Sequence, residues 1–370
     1  MKNNKFLIII NSLGKGGAER IASEFSFFLE EQGYDVIFLF TDIASISYKI
    51  PSTAKTVSLP FSKYVKTFLF PIIICIQAVY VRLYFGKHKN VISFLHRANL
   101  VNGLSSLFSG RKVIISERSI FSKSYKGSKQ HLMKGILSLL FIRVTKIIAV
   151  SQVVKKELIS SFNVKPSKIK VIHNPINTND FNFEENKKEF YAIDKGINFC
   201  TVGRLISSKR IELVITLFYK ILQFSPKSKL HILGDGDNVS ILKKLAEDLN
   251  IKEQVVFYGN VSDVPLILKK CDIFLFTSLY ESFGNVALEA TSSGLPVIYS
   301  SNLDSVKEIY LNTNSLSFSI DENIDDNEVK SIIKFIELLE YESFKQERTK
   351  LLQRHRGEEI FKEYLNEYKK

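Results

Sequence analysis

The sequence predicts an α/β protein made of two Rossmann-like halves, each a parallel sheet wound with helices. Three observations predict this. Short apolar runs rich in Ile, Val, Leu and Phe alternate with helix-length stretches in two successive series, one on each side of residue 177. Glycines stand where such runs end, as at Gly16 and Gly17 in the first series and Gly203, Gly234 and Gly259 in the second. Between the series, from about Asn177 to Lys195, the chain is polar and charged, as a connection would be. The expected division is a first domain over 1–176, a linker over 177–195, a second domain over 196–352, and a terminal helix over 353–370 that crosses back toward the first domain. Two such units in one chain imply a central cleft across which they face each other.

Lys5 to Asn11 reads as a buried strand, followed by the turn Ser12-Leu13-Gly14-Lys15-Gly16-Gly17 and a helix through Glu31. Gly33 ends that helix, and Tyr34 to Phe40 is the second strand. The loop lacks the full GxGxxG spacing, and only Asp42 closes the second strand in the manner of a dinucleotide site. A nicotinamide-dependent dehydrogenase is therefore disfavoured.

Tyr64 to Phe85 is nearly continuous in apolar residues, interrupted by Pro71, Gln77 and Arg82 and flanked by Lys63, Lys66, Lys87 and Lys89. This predicts a helix packed on the sheet that also touches a bilayer interface, in preference to a membrane span, with a fully buried core helix as the alternative. Strands follow at Val91–Leu95, Val113–Ser116 and Ile147–Val150, and Val171 to Ile176 closes the first unit. Lys129 to Lys146 is again basic and apolar together. The second series runs Ile197–Val202, Leu230–Leu233, Val255–Tyr258, Ile273–Phe276, Val297–Ser300 and Leu316–Ser319, with charged helices from 325 to 368.

Cys75, Cys200 and Cys271 are scattered without CxxC spacing, which fits a reducing compartment and argues against disulfides or a thiolate metal site. No basic, apolar and small-residue succession of a signal peptide opens the chain, so a cytoplasmic location is expected. Charge is uneven. Residues 1–175 hold 26 Lys and Arg against 8 Asp and Glu, whereas residues 176–370 hold 25 against 30. The basic half suits an anionic surface, either nucleic acid or membrane. Basic and aromatic residues do not interleave as a nucleic-acid groove requires, which favours the membrane.

The chemistry concentrates at strand ends. Ile273 to Phe276 runs into Thr277-Ser278-Leu279-Tyr280-Glu281-Ser282-Phe283-Gly284, which opens a helix carrying Asn285, Val286 and Glu289. The backbone from Phe283 to Val286 suits a phosphate at a helix N-terminus. Glu281 and Glu289 can face one crevice, where a carboxylate accepts hydrogen bonds from vicinal hydroxyls. The same pair would also suit an ordinary solvated helix start. Arg204 and Lys209, just past the first strand of the second series, suit a diphosphate. Asp235 and Asp237 read as a strand-to-helix turn and not as a metal site. In the first half, His96-Arg97-Ala98-Asn99 and Ser116-Glu117-Arg118-Ser119 follow strand ends, where Arg97 and Arg118 can hold a phosphate or act as caps and surface cations.

Taken together, Gly16-Gly17-Ala18-Glu19-Arg20, His173-Asn174-Pro175, Val202-Gly203-Arg204-Leu205 with Lys209, Leu233-Gly234-Asp235-Gly236, Gly259, and Glu281-Ser282-Phe283-Gly284 through Glu289-Ala290 to Gly294-Leu295-Pro296-Val297 resemble family four of the retaining GT-B glycosyltransferases. Ser93 to Asn99 and Ile115 to Ser119 are similar to members that build O-antigen, capsule or lipid-linked oligosaccharides. The resemblance implies that Arg204 and Lys209 neutralise the donor diphosphate, Phe283, Gly284, Asn285 and Val286 cap it, and Glu289 holds the ribose. It places Glu281 against the transferred sugar, Gly16 and Gly17 near the diphosphate, and Gly259 at the nucleobase. Glu117 or His96 would contact the sugar from the first domain, and Arg97, Asn99 and Arg118 would serve the acceptor.

The implied activity is transfer of a hexose or N-acetylhexosamine from a nucleotide sugar, UDP-linked by family habit, to a polyprenyl-diphosphate-linked saccharide. The enzyme would work at the inner face of a bacterial membrane, with the nucleotide sugar as co-substrate and neither metal nor nucleic acid required. A UDP-sugar epimerase of the same fold and a GDP-mannose-dependent mannosyltransferase are the alternatives.

Overall fold

The computed structural model describes residues 4–14, 16–65, 69–107, 111–125, 127–176, 195–321 and 324–369. The chain divides into two compact units, one of residues 1–175 with 357–370 and the other of residues 176–356. Residues 177–194 of the linker expected over 177–195 lie outside the described residues, as does Lys66.

The first unit contains β1 (Lys5–Ile10), α1 (Gly17–Glu31), β2 (Asp35–Phe40), β3 (Lys55–Ser58), α2 (Phe70–Phe85), β4 (Asn90–Phe94), α3 (His96–Ser105), β5 (Ile114–Glu117), α4 (Phe121–Ser124), α5 (Gly127–Arg143), β6 (Lys146–Ala149), α6 (Gln152–Phe162) and β7 (Ile169–Val171). Its strands are all parallel, in the order β3-β2-β1-β4-β5-β6-β7. Strands buried on both faces need continuous apolar runs, and β1 and β2 are buried at every residue after the first. Right-handed crossovers put α1 on one face of this sheet and α2, α3, α5 and α6 on the other. Sequence reading missed β3. Its four residues, Lys-Thr-Val-Ser, lie on the sheet edge and remain largely exposed, so they carry no apolar signature.

The second unit contains β8 (Asn198–Val202), α7 (Ile211–Ile221), β9 (Lys229–Leu233), α8 (Val239–Asp248), β10 (Val255–Gly259), α9 (Val264–Leu268), β11 (Ile273–Phe276), α10 (Asn285–Ser292), β12 (Val297–Ser300), α11 (Asp304–Ile309), β13 (Ser317–Ile320), α12 (Asp326–Glu337) and α13 (Tyr341–Arg354). Its parallel sheet has the order β10-β9-β8-β11-β12-β13. A core of Phe199, Phe218, Leu230, Ile273, Leu275 and Ile332 fills it.

The last helix, α14 (Gly357–Lys369), belongs to the first unit. Phe361, Tyr364 and Leu365 join Phe25 and Phe28 of α1 in that unit's core, and the Tyr368 hydroxyl donates 2.9 Å to the carbonyl of Val91. Among the described residues no helix is long and apolar enough to cross a membrane. Within the apolar stretch at 64–85, Phe70–Phe85 form α2, of 16 residues, which at 1.5 Å per residue is about 24 Å long.

In each sheet the strand order reverses once, between β1 and β4 in the first unit and between β8 and β11 in the second. Open parallel sheets bind ligands at the carboxyl ends of the strands beside such a reversal.

Candidate active site

In the second unit, the loops leaving β8 and β11 lie side by side at the reversal. Lys209 Nζ lies 2.5 Å from Glu281 Oε1, and the Ser278 hydroxyl donates 2.8 Å to the same oxygen. The Lys209 stem folds back across Gly203, where an added Cβ would meet its Cδ and Cε. Four further contacts fix the two loops. Leu279 N–H donates to the Ser208 carbonyl, Thr277 Oγ1 to that of Arg210, Asn302 Nδ2 to that of Leu279 and Ser305 Oγ to that of Glu281, all at 2.8–2.9 Å. Thr277, Ser278 and Ser305 are buried, so these bonds are shielded from competing water.

Gly284 turns this loop into α10 with φ 105°, a left-handed conformation, and a Cβ there would come within 2.9 Å of Val306 Cγ2. Only glycine meets both conditions without strain. Gly284 brings no capping side chain to the first turn of α10, in which the Ala287 N–H donates 3.0 Å to the Gly284 carbonyl. Asn285 and Val286 form that first turn and are half-buried, as is Glu289, while Phe283 is buried. At the other end of α10, Arg348 donates to the carbonyls of Thr291 and Ser292, and burial brings its pKa down to about 10. Arg204 is exposed just beyond Gly203. Gly259 ends β10 with φ 65°, and its carbonyl accepts from Gly234 N–H at 2.8 Å. Asp235 accepts from the Gly236 N–H at 2.8 Å, so its carboxylate serves the turn leaving β9.

The first unit assembles a second constellation at its own reversal. Leu95, between β4 and α3, holds φ 75° and ψ 149°, a region that residues with a Cβ rarely occupy. This turn delivers His96 onto Glu117 at the end of β5, with Nε2 3.0 Å from Oε2. Asn99 Nδ2 donates 2.7 Å to the other carboxylate oxygen, while Tyr125 OH and Ser119 Oγ stand 3.2 and 3.3 Å from the two imidazole nitrogens. Burial opposes the imidazolium, yet the charge and hydrogen bond of Glu117, helped by Glu157, outweigh it and raise the His96 pKa. Arg97 pairs with Asp42, 3.1 Å away.

Two expectations for the acceptor side need correction. Arg118 is not a surface cation. It is buried, donating to Tyr364 OH at 2.9 Å, to Ser116 Oγ and to Asn174 Oδ1. Asn99 is fully buried, and its amide is committed to Glu117 and the Ser116 carbonyl. Both position the Ser116–Ser119 loop and leave Arg97 as the partly exposed cation there.

Gly16 caps α1 in an extended conformation, and the Glu19 carboxylate fills the space a Cβ would need. Burial raises the Glu19 pKa against the opposing effects of its backbone hydrogen bond and Arg118. Gly17 is the first residue of α1.

Sequence reading did not single out Thr277, Ser278, Asn302, Ser305, Tyr125 or Tyr364. Ser278 alone carried a signal, standing three residues before Glu281. The others meet the site through contacts 20 or more residues away in sequence.

The family model for glycosyltransferase family 4 matches residues 15–180, and that for glycosyl transferases group 1 matches residues 182–351. The chain belongs to the family 4 glycosyltransferases. This glycosyltransferase is 27% identical over 83% of its length to a Campylobacter jejuni enzyme, of which the match covers 83%. That relative is named N-acetylgalactosamine-N,N'-diacetylbacillosaminyl-diphospho-undecaprenol 4-alpha-N-acetylgalactosaminyltransferase. The O-antigen chain mannosyltransferase of Salmonella typhimurium is 25% identical over 80% of this chain and 76% of its own. Among solved structures, an Anabaena protein in complex with UDP and glucose superposes with TM-score 0.74 over 98% of both chains at 17% identity, a likeness of GT-B fold.

Proposed function

We propose that this glycosyltransferase moves a hexose or N-acetylhexosamine from a UDP-sugar to a lipid-linked saccharide, with retention of anomeric configuration, in surface polysaccharide synthesis. The observation that carries the reading is the Lys209–Glu281–Ser278 cluster at the β8/β11 reversal, beside the glycine-led N-terminus of α10. Departure of the nucleoside diphosphate puts negative charge on a phosphate oxygen while positive charge grows at the sugar carbon. Arg204, Lys209 and the first turn of α10 answer the former, and Glu281 answers the latter.

The acceptor hydroxyl attacks on the face the leaving group vacates. Its proton passes to the departing phosphate, so the new C–O bond keeps the donor's configuration. Glu289, in the second turn of α10, holds the ribose hydroxyls. In the first unit, the His96–Glu117 pair is assigned to the transferred sugar and Arg97 to the acceptor's phosphate, with Asp42 released when that phosphate binds. The Campylobacter and Salmonella relatives, named for a diphospho-undecaprenol acceptor and for O-antigen, support the acceptor class. The Salmonella likeness also favours a second reading, transfer of mannose from GDP-mannose.

The basic first half brings the enzyme to the inner face of the membrane, where such an acceptor resides. The reaction is tested by NMR of the product made from a sugar nucleotide and a polyprenyl-diphosphate saccharide. An anomeric coupling matching the donor's is expected, and an inverted product would overturn the mechanism. Glu289→Ala is expected to weaken donor binding. Wild-type donor affinity in that variant would remove the ribose assignment.

A further inference from the structure

We infer that the outer faces of α2 and α5 form one docking surface that inserts into the headgroup–acyl boundary of an anionic bilayer. The inference deepens the lipid-linked-acceptor reading above and rests on it.

Helix α2 is inverted relative to a solvated helix. Its only uncharged polar residue besides tyrosine, Gln77, is fully buried and donates to the carbonyls of Thr41 and Pro60 at 3.0 and 3.1 Å. Its outward face instead presents Ile72 (60% exposed), Val79 (57%) and Leu83 (73%) at helical spacing. Helix α5 repeats the pattern with Leu132 (63%), Leu139 (69%) and Ile142 (67%). The two helices belong to one surface. Both cross on the same side of the sheet, packed against the largely buried α3, and a Cβ at Gly103 of α3 would collide with Leu140 of α5. An apolar patch of this kind on a soluble unit marks a contact surface.

Charge decides what covers it. Residues 43–156 contain 19 Lys and Arg and a single acid, Glu117, which is buried. Neither α2 nor α5 contains an acidic residue, while Arg82, Lys87, Lys89, Lys134 and Arg143 are exposed on or beside them. Apolar side chains ringed by cations suit acyl chains below anionic headgroups. A second copy of the same face would set like charges against each other.

The test is flotation of the full chain with phosphatidylglycerol-containing vesicles. It compares wild type with Ile72→Ser/Val79→Ser/Leu83→Ser and with Leu132→Ser/Leu139→Ser. Cys75, the one exposed cysteine, lies on the outward face of α2 and takes an environment-sensitive fluorophore. Wild type is expected to keep measurable binding at high salt, with a blue-shifted label. Each variant is expected to bind the vesicles at least about tenfold more weakly, given the transfer free energy of the apolar groups removed. Unchanged thermal melts, as exposed sites predict, show that the variants remain folded.

Wild-type affinity in both variants together with a water-exposed label would overturn the inference. So would a variant-sensitive oligomer in sedimentation without lipid. Turnover on a short-chain, water-soluble acceptor separates the two readings. Turnover without insertion removes the docking surface alone, and insertion without any sugar transfer removes the function alone.

Discussion

Glu117 is buried against the half-buried His96, and its carboxylate favours the protonated imidazole. Burial is the largest influence on His96 and acts to lower its pKa, while Glu117 reverses that sign. The pair therefore stabilises the fold fully below pH of about 6.5, and this contribution is lost as pH rises through the raised His96 pKa. Glu117→Gln removes the charge and leaves the burial. In that variant the His96 pKa is expected to fall below the ordinary value, as followed by NMR of the imidazole. A pKa that stays raised would contradict the assignment of its cause. At this scale the sequence was informative about type and poor about orientation. Lys209 and Glu281 are 72 positions apart, and only the family resemblance, not the residues themselves, led to the expectation of both at the donor. Arg118 shows the opposite. Its neighbours Tyr364 and Asn174 lie 246 and 56 residues away, and nothing local indicates that it turns inward.

Among the elements, the loop from β11 into α10 carries the donor side, and its shape depends on Gly284. Gly284→Ala forces a side chain into a left-handed conformation and against Val306. It is expected to destabilise the protein by about 1–3 kcal/mol in denaturant unfolding and to weaken donor binding at the same time. An unchanged midpoint would show that the loop can relax without it. The buried strands were legible from their continuous apolar runs, and their bounds fall within about a residue or two of those expected. β3 was not legible, because an exposed edge strand owes its place to backbone pairing with β2 and needs no apolar side chains. The turn at Leu95 was equally hidden, since a leucine gives no sign of positive φ before a structure shows it.

For the whole molecule, the doubly wound pattern appears twice, and beside the sheet reversals stand some of the residues marked at strand ends, Lys209 with Glu281 in one unit and His96 with Glu117 in the other. The skew of positive charge toward the first half, visible in composition, became specific once the outward faces of α2 and α5 were known. Charge-driven attraction implies that vesicle binding weakens as salt rises. Indifference to both salt and acidic lipid would remove the electrostatic component.

Calorimetry with a small panel of UDP- and GDP-sugars tests whether the Lys209–Glu281 cluster is the donor site. Wild type is expected to bind one nucleotide sugar selectively. Lys209→Ala is expected to lose that binding and to slow transfer about 10²–10³-fold, as for loss of one preorganised electrostatic donor. Binding of every sugar nucleotide equally, or undiminished selective binding in Lys209→Ala, would contradict the account.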